Sequence, residues 1–254
     1  MIKGTITGPR FEVERGVTTM KVYDSDGTPL EFNSQRVGPT SYLGLREASY
    51  GPKEMGFEAP TFGQLAPLVY SALARKDIEE AKQVIGTLRN NWMTGKTMAL
   101  TGREGIFVDD NPDLALVRGN LGVYESDLRE RLGERKEGDV VYSDDGLVRF
   151  VPHGFQFKEQ SFLDFAENPG LIALVGNPER AIMLARASEN YRRSPWLGGG
   201  FAKTDSPQLR VPDVSDDGFV GGRLCVVGYN PYYDGRYSFG VRKGAEGTRA
   251  EKQQ

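Results

Sequence analysis

The side chains best suited to chemistry in this chain are concentrated near its C-terminus, in the sequence YNPYYDGRY at residues 229–237. Tyrosine and arginine are enriched in binding hot spots because they supply large contact areas and hydrogen-bond donors at a low entropic cost. For each tyrosine taken singly, a half-buried position in a sheet is the favoured interpretation. Together, the tyrosines and the arginine around this turn favour a ligand-binding surface made of Tyr229, Tyr232, Tyr233, Arg236 and Tyr237.

Two polar residues of the same turn, Asn230 and Asp234, complete the predicted surface. A second group of aromatic and guanidinium side chains follows a predicted helix end and precedes a triple-glycine loop. Such groups are hard to explain there by packing. The tryptophan among them follows Pro195 and has the alternative role of filling the core. The second group predicted to bind is Tyr191, Arg192, Arg193 and Trp196.

The residues that most catalytic sites require are scarce. With one histidine, His153, and one cysteine, Cys225, the chain has neither the ligands for a Cys/His zinc site nor an internal disulfide. Cys225 lies in an apolar run, which predicts a small buried side chain. Carboxylate chemistry stays open, with Asp109 and Asp110 as candidates for a hydrolase. We predict a protein that is not an enzyme, with no covalent cofactor and no transition metal.

The composition is that of an ordinary globular protein, with 254 residues of which 26% are charged and 38% hydrophobic. Its net charge of −3 gives no attraction toward nucleic acid. The first residues lack the apolar core of a signal peptide, and no apolar run is long enough to span a bilayer. We therefore expect a cytoplasmic or particle-associated protein without membrane insertion. Its expected partner is an unknown protein or surface ligand, and homo-oligomer formation stays open.

Turn residues and helical spacing predict the elements of the first half. A β meander is expected in residues 1–33, followed by an irregular connection over 33–56. Two helices follow, one starting at Thr61 as N-cap and containing Pro67, the other opening at Asp77. Trp92 ends the apolar stripe of the second helix and is expected in the core. The predicted strands and helices are Phe11–Arg15, Thr18–Tyr23 and Leu30–Phe32, then Thr61–Leu73 and Ile78–Asn91.

The second half is predicted to alternate short strands and helices. The Asp-rich sequence after Val108 is interpreted as a solvated turn that caps the next helix, and the stretch from Gly198 to Asp217 as a loop. Strands are expected at Gly105–Val108, Val140–Tyr142, Leu147–Val151, Leu171–Val175, Arg223–Gly228 and Tyr237–Arg242, and helices at Glu125–Lys136, Lys158–Glu167 and Glu179–Asn190.

Two segments resemble a known family. The sequence GFEAPT at 56–61, followed by Gln64 and Leu65, resembles the start of the helix in C-type-lectin-like domains of the formylglycine-generating-enzyme type. The sequence YSFGVR at 237–242 resembles their closing strand. The resemblance implies an α+β, C-type-lectin-like fold with mixed helices around a twisted antiparallel sheet. It implies a single domain over 1–244, with 245–254 as a flexible tail.

The oxidase branch of that family uses a pair of cysteines, so one cysteine implies the ligand-binding branch. Within that branch, the chain resembles the variable proteins of diversity-generating retroelements, which carry a diversified C-terminal ligand surface. The codons diversified in such proteins keep a final pyrimidine and cannot encode Lys, Glu, Gln, Met or Trp. Between Leu209 and Arg242 the chain has none of these residues. A segment of strands and turns explains part of that bias, because strands disfavour Lys and Glu.

We therefore carry three hypotheses for function. The first is a non-enzymatic protein that displays a Tyr/Asn/Arg-rich surface to a ligand. The second is a structural or particle-associated subunit whose C-terminal hairpin is an assembly interface. The third is a hydrolase that uses Asp109 and Asp110.

Overall fold

The computed structural model describes residues 6, 8–13, 19–216 and 222–243. Its strands are β1 (Phe11–Val13), β2 (Thr19–Tyr23), β3 (Pro29–Thr40), β4 (Trp92–Thr94), β5 (Met98–Thr101), β6 (Gly105–Asp109), β7 (Leu132–Glu137), β8 (Val140–Ser143), β9 (Val148–Pro152), β10 (Trp196–Leu197), β11 (Gln208–Asp216), β12 (Leu224–Tyr229) and β13 (Arg236–Lys243). Its helices are α1 (Tyr42–Glu47), α2 (Phe62–Ala74), α3 (Glu79–Asn90), α4 (Leu114–Arg118), α5 (Leu121–Arg131), α6 (Phe162–Ala166), α7 (Pro169–Val175) and α8 (Pro178–Ser188).

One continuous sheet runs through the molecule in the order β1-β2-β3-β13-β4-β11-β5-β6-β9-β8-β7. The central strand is β11, whose first residues pair with β5 and whose later residues pair with both β4 and β12. The last strand, β13, lies between β3 and β4. The N-terminal meander is therefore part of the main sheet, because β3 joins it directly to β13.

Two hydrophobic clusters fill the interior. The larger contains the buried faces of α2, α3, α7 and α8 against the sheet. The smaller contains Tyr42, Tyr124 and Leu128 with side chains of β5, β6 and β11. Cys225 is completely buried, as predicted. The helices and sheet together agree with the α+β class predicted from the sequence.

The start of α2 confirms the strongest local signal of the sequence. Thr61 accepts a hydrogen bond from the backbone of Gln64, and the side chain of Gln64 accepts one from the backbone of Thr61, a reciprocal capping box. Pro67 lies inside α2. The predicted cap of α3 was wrong, because Ile78 is its N-cap and Asp77 instead pairs with Arg75.

Four other predictions were wrong for identifiable reasons. The stretch Leu171–Val175 is helical because Asn168 caps it and Pro169 occupies its first turn. The last five residues of the predicted helix Glu125–Lys136 belong to β7, and residues 33–56 contain the last eight residues of β3 as well as α1. The predicted loop before Asp217 contains the central strand β11.

The Asp-rich sequence at the end of β6 is not a solvated turn. Asp109 is completely buried and accepts hydrogen bonds from Tyr124 and Arg131, each at 3.1 Å, while Asp110 pairs with Arg149 at 2.7 Å. Burial raises the pKa of Asp109. The cap of α4 is Asp113, whose carboxylate accepts from the backbone of Ala115. The predicted strand ends at Arg15 and Thr18 and the tail 245–254 lie outside the described residues.

Candidate functional site

The turn between β12 and β13 folds compactly through its own polar groups. Tyr229 ends β12 and Arg236 begins β13. The side-chain oxygen of Asn230 accepts a hydrogen bond from the backbone of Tyr232 at 3.0 Å, and the carbonyl of Asn230 accepts one from the backbone of Tyr233 at 3.3 Å. These bonds define the direction in which the intervening side chains leave the backbone.

Three tyrosines of this turn are exposed, as the sequence predicted. Tyr232 is 77% exposed, Tyr229 38% and Tyr233 37%. The rings of Tyr229 and Tyr233 are stacked with their centroids 5.4 Å apart. Asn230 and Asp234 are also exposed. The turn therefore presents a set of aromatic and polar side chains to solvent.

Trp92 belongs to this aromatic set, although the sequence predicted it for the core. It is the first residue of β4, is half-buried, and meets Tyr229 edge to face with 4.9 Å between ring centroids. Because Trp92 ends the apolar stripe of α3, the sequence pattern predicted a core position for it. The sequence signal that could have identified it is the pair Asn90-Asn91, which ends the helix just before it.

Arg236 was predicted to be a displayed binding residue, and the structure corrects this. Its side chain is completely buried and forms two bonds to the carboxylate of Asp213, at 2.9 and 3.2 Å. It also donates to the backbone carbonyls of Tyr233 at 2.7 Å and Asn230 at 3.0 Å. The guanidinium therefore holds the backbone of the turn in place from the protein interior. Asp213 lies in the segment predicted as a loop, so the sequence did not reveal this pair.

We expect the Asp213 carboxyl group to titrate far above its usual range. Burial raises its pKa to about 6 from a reference value of 3.8, and Arg236 only partly opposes the shift. Since the folded state then holds the proton more tightly than the unfolded state, the stabilising contribution is present below pH about 4 and is lost as pH rises through about 6. Carboxyl-carbon NMR, with Asp213→Asn for assignment, measures this pKa. A midpoint below pH about 4 would show that Arg236 outweighs burial.

Tyr237 was predicted to belong to the same surface, but it points elsewhere. Consecutive residues of a strand point to opposite faces, so Tyr237 lies on the face opposite to Arg236. It is half-buried, and the guanidinium of Arg36 lies over its ring at 4.5 Å from the centroid. Tyr237 is thus separated from the exposed tyrosines of the turn.

Gly235 allows the observed position of Tyr233. A side-chain carbon at Gly235 would collide with the phenol ring of Tyr233, which lies against the glycine. The ring therefore rests on the backbone of its own turn. This contact and the stacking on Tyr229 together define the orientation of the Tyr233 ring.

The second predicted group lies apart from the turn. Trp196 is in β10 and pairs with Cys225, four residues before Tyr229 in β12, a separation of ~13 Å along the strand. Arg192 is exposed, while Arg193 donates to Glu159 at 3.4 Å. Tyr191 packs against the main core with its hydroxyl buried, and burial raises its pKa. The structure does not unite the two groups in one surface.

The chemistry available at the turn is that of recognition. It offers aromatic faces, phenol hydroxyls, one carboxamide and one carboxylate. Across the described part of the chain, no group of three or more His, Cys, Asp or Glu side chains is arranged to hold a metal ion. His153 lies outside the turn, and its Nε2 is 2.8 Å from the carbonyl of Gly102.

The comparisons with known proteins bear on the fold. No protein-family model matches the chain, and no curated protein matches it. A solved structure matches 82% of this chain and 97% of its own, with a TM-score of 0.50 and 15% sequence identity. The description of that structure states that the C-type lectin fold accommodates massive sequence variation in Nanoarchaeota. This chain has the C-type lectin fold.

In this C-type lectin fold, the two segments that carried the family resemblance become α2 and β13. They come together in space, since Glu58 forms an isolated bridge with Val241 just before α2 begins.

Among the helices that the structure describes, none has the length and apolarity needed to cross a membrane.

Proposed function

We propose that this protein is a non-enzymatic ligand-binding protein whose binding surface is the turn between β12 and β13, with Trp92 beside it. The observation that carries the proposal is an exposed aromatic set on a turn whose backbone is held by a buried ion pair. The binding residues are Trp92, Tyr229, Asn230, Tyr232, Tyr233 and Asp234.

The exposure of these rings supports recognition. Tyr232 is 77% exposed, and three further aromatic rings form a contact series in which Tyr229 stacks on Tyr233 and meets Trp92 edge to face. Clustered exposed aromatic groups mark interaction surfaces, whereas single exposed apolar residues are ordinary. Ordering the rings before a ligand arrives also lowers the entropic cost of binding.

The way in which the turn is held supports a diversified surface. Arg236 bonds to the backbone carbonyls of Asn230 and Tyr233, and those acceptors exist whatever side chains stand there. The segment 209–242, which contains no Lys, Glu, Gln, Met or Trp, includes the whole turn. We therefore propose that the chain is a variable protein of a diversity-generating retroelement. A near-copy of the codons for 209–242, mismatched at adenines and beside a reverse transcriptase gene, is the expected genomic observation.

The positions of Asp109 and Asp110 do not favour the hydrolase hypothesis. Asp109 and Asp110 are buried, and each is paired with an arginine. A catalytic carboxylate has to reach the substrate, which these two cannot do without breaking their ion pairs. We propose that the protein performs no catalysis.

Tyr232→Ala tests the binding surface. Because the side chain is 77% exposed, the free energy of unfolding should change by no more than about 0.5 kcal/mol. Peptides selected from a display library on the wild-type protein should lose about 1–4 kcal/mol of binding free energy. Calorimetry measures both quantities. Leu163→Ala, at a residue 43% exposed on α6, is the matched control and should leave binding unchanged.

Two outcomes would contradict the proposal. Selected peptides that bind Tyr232→Ala and Leu163→Ala equally well would place recognition elsewhere. Light scattering of the wild-type protein at rising concentration provides the second outcome. If the protein forms an oligomer that Tyr232→Ala dissociates, the turn is an assembly interface, as in the structural-subunit hypothesis.

A further inference from the structure

A polar groove lies between β3 and α3, on the same face of the sheet as Tyr237. Its volume is about 490 Å³, and it is a shallow groove open to solvent. We propose that this groove is a second binding site, independent of the turn, for a carboxylate carried on a polar chain such as an acidic peptide segment. The described residues that line it are Ser34, Gln35, Arg36, Gln83, Gly86 and Asn90.

Arg36 is the charged group of the groove and is already held in place. One of its terminal nitrogens donates to the hydroxyl of Thr87 at 3.2 Å, and its guanidinium stacks on Tyr237. A guanidinium has five N–H groups in a planar fork, so one such bond leaves donors available to a carboxylate. Holding the fork before binding reduces the entropy lost when the ligand arrives.

The other residues that line the groove indicate which class of ligand it would bind. Gln35, Gln83 and Asn90 offer both donors and acceptors, which suits the N–H and C=O groups of a peptide. Among the described lining residues there is no Asp or Glu to compete for Arg36. A single guanidinium balances the single charge of a carboxylate, whereas a phosphate group, with a charge of about −1.5 to −2, would stay partly unbalanced.

Gly86 is the second observation that points to a ligand. It lies inside α3, where glycine is less favourable than alanine by about 1 kcal/mol. Helix packing does not require a glycine there, because a side-chain carbon at Gly86 would meet no described atom within 4 Å. The missing side chain leaves the groove open between the two elements.

The experiment uses the full chain and three probes, N-acetyl-Gly-Glu-Gly-amide, its Gln counterpart and inorganic phosphate. NMR titration should show saturable binding of the Glu peptide and about ten-fold weaker binding of the Gln peptide, since charge-assisted hydrogen bonds are the stronger ones. Absence of Glu-peptide binding, or equal affinity for both peptides, would overturn the proposal. Tighter binding of phosphate would overturn the assignment to a carboxylate.

Variants locate the site. Arg36→Gln should weaken Glu-peptide binding by about ten-fold. Gly86→Leu should block the groove while keeping or raising the melting temperature, since leucine favours helices. Lys82→Gln removes a charge from the same helix outside the lining and should leave affinity unchanged. Undiminished binding by the folded Gly86→Leu variant would refute the site. Tyr232→Ala should also bind normally, so failure here is distinguishable from failure of the proposed function.

Discussion

Replacing Arg236 with Met is expected to lower the free energy of unfolding by about 3–5 kcal/mol, because it leaves the buried carboxylate of Asp213 without its partner. The measurement is chemical denaturation about two pH units above the Asp213 pKa of about 6, where that carboxyl group is ionised. Hydrogen exchange should also rise in the turn, since the carbonyls of Asn230 and Tyr233 lose their donor.

The control is the double variant Asp213→Leu with Arg236→Met, in which both charges are replaced by apolar groups. Such replacements are often neutral or stabilising, so most of the lost stability should return. The turn should nevertheless stay mobile in the double variant, because the guanidinium donors to the carbonyls of Asn230 and Tyr233 remain absent. If Arg236→Met alone changes stability by less than about 1 kcal/mol, the guanidinium is not the buried support described above.

The second large effect is expected in the core under α2. Leu65 is 1% exposed, and Ile85 on α3 is 6% exposed. Leu65→Ala or Ile85→Ala should each cost about 2–5 kcal/mol, because each removes buried methyl groups and leaves a cavity. Thermal unfolding measures the loss, with Leu163→Ala on the surface as the matched control. Equal melting temperatures for all three variants would contradict the packing.

In the candidate binding surface, the buried ion pair of Arg236 and Asp213 supports the backbone, and the exposed turn presents the side chains for recognition. The ion pair of Arg236 and Asp213 acts on main-chain atoms, so the exposed tyrosine side chains of the turn are not needed to hold it. This separation predicts that substitutions at Tyr232 affect recognition more than folding, while substitutions at Arg236 affect folding first. The same separation would allow one scaffold to carry many different surfaces.

Local interactions are the part of this structure that the sequence determined. The capping box of α2 joins Thr61 and Gln64, which lie three residues apart, and Asn177, the N-cap of α8, accepts from the backbone of Arg180 at the same spacing. The exposure of Tyr229, Tyr232 and Tyr233 likewise followed from turn residues between two short strands. The relation of the chain to the C-type lectin fold was also visible in its first helix start and last strand.

Contacts between distant segments were decided only by the tertiary structure. The sequence could not show whether Arg236 is displayed or buried, because its partner Asp213 lies on another strand, 23 residues earlier. The apolar run Leu171–Val175 by itself suits a buried strand or a buried helix equally; the cap at Asn168 favours the helix, and packing of α7 against α2 and α8 accommodates it. Trp92 reaches solvent because β4 places it beside Tyr229. In each case the free energy depends on a partner brought near by the fold, and the spacing of residues along the chain carries no record of that partner.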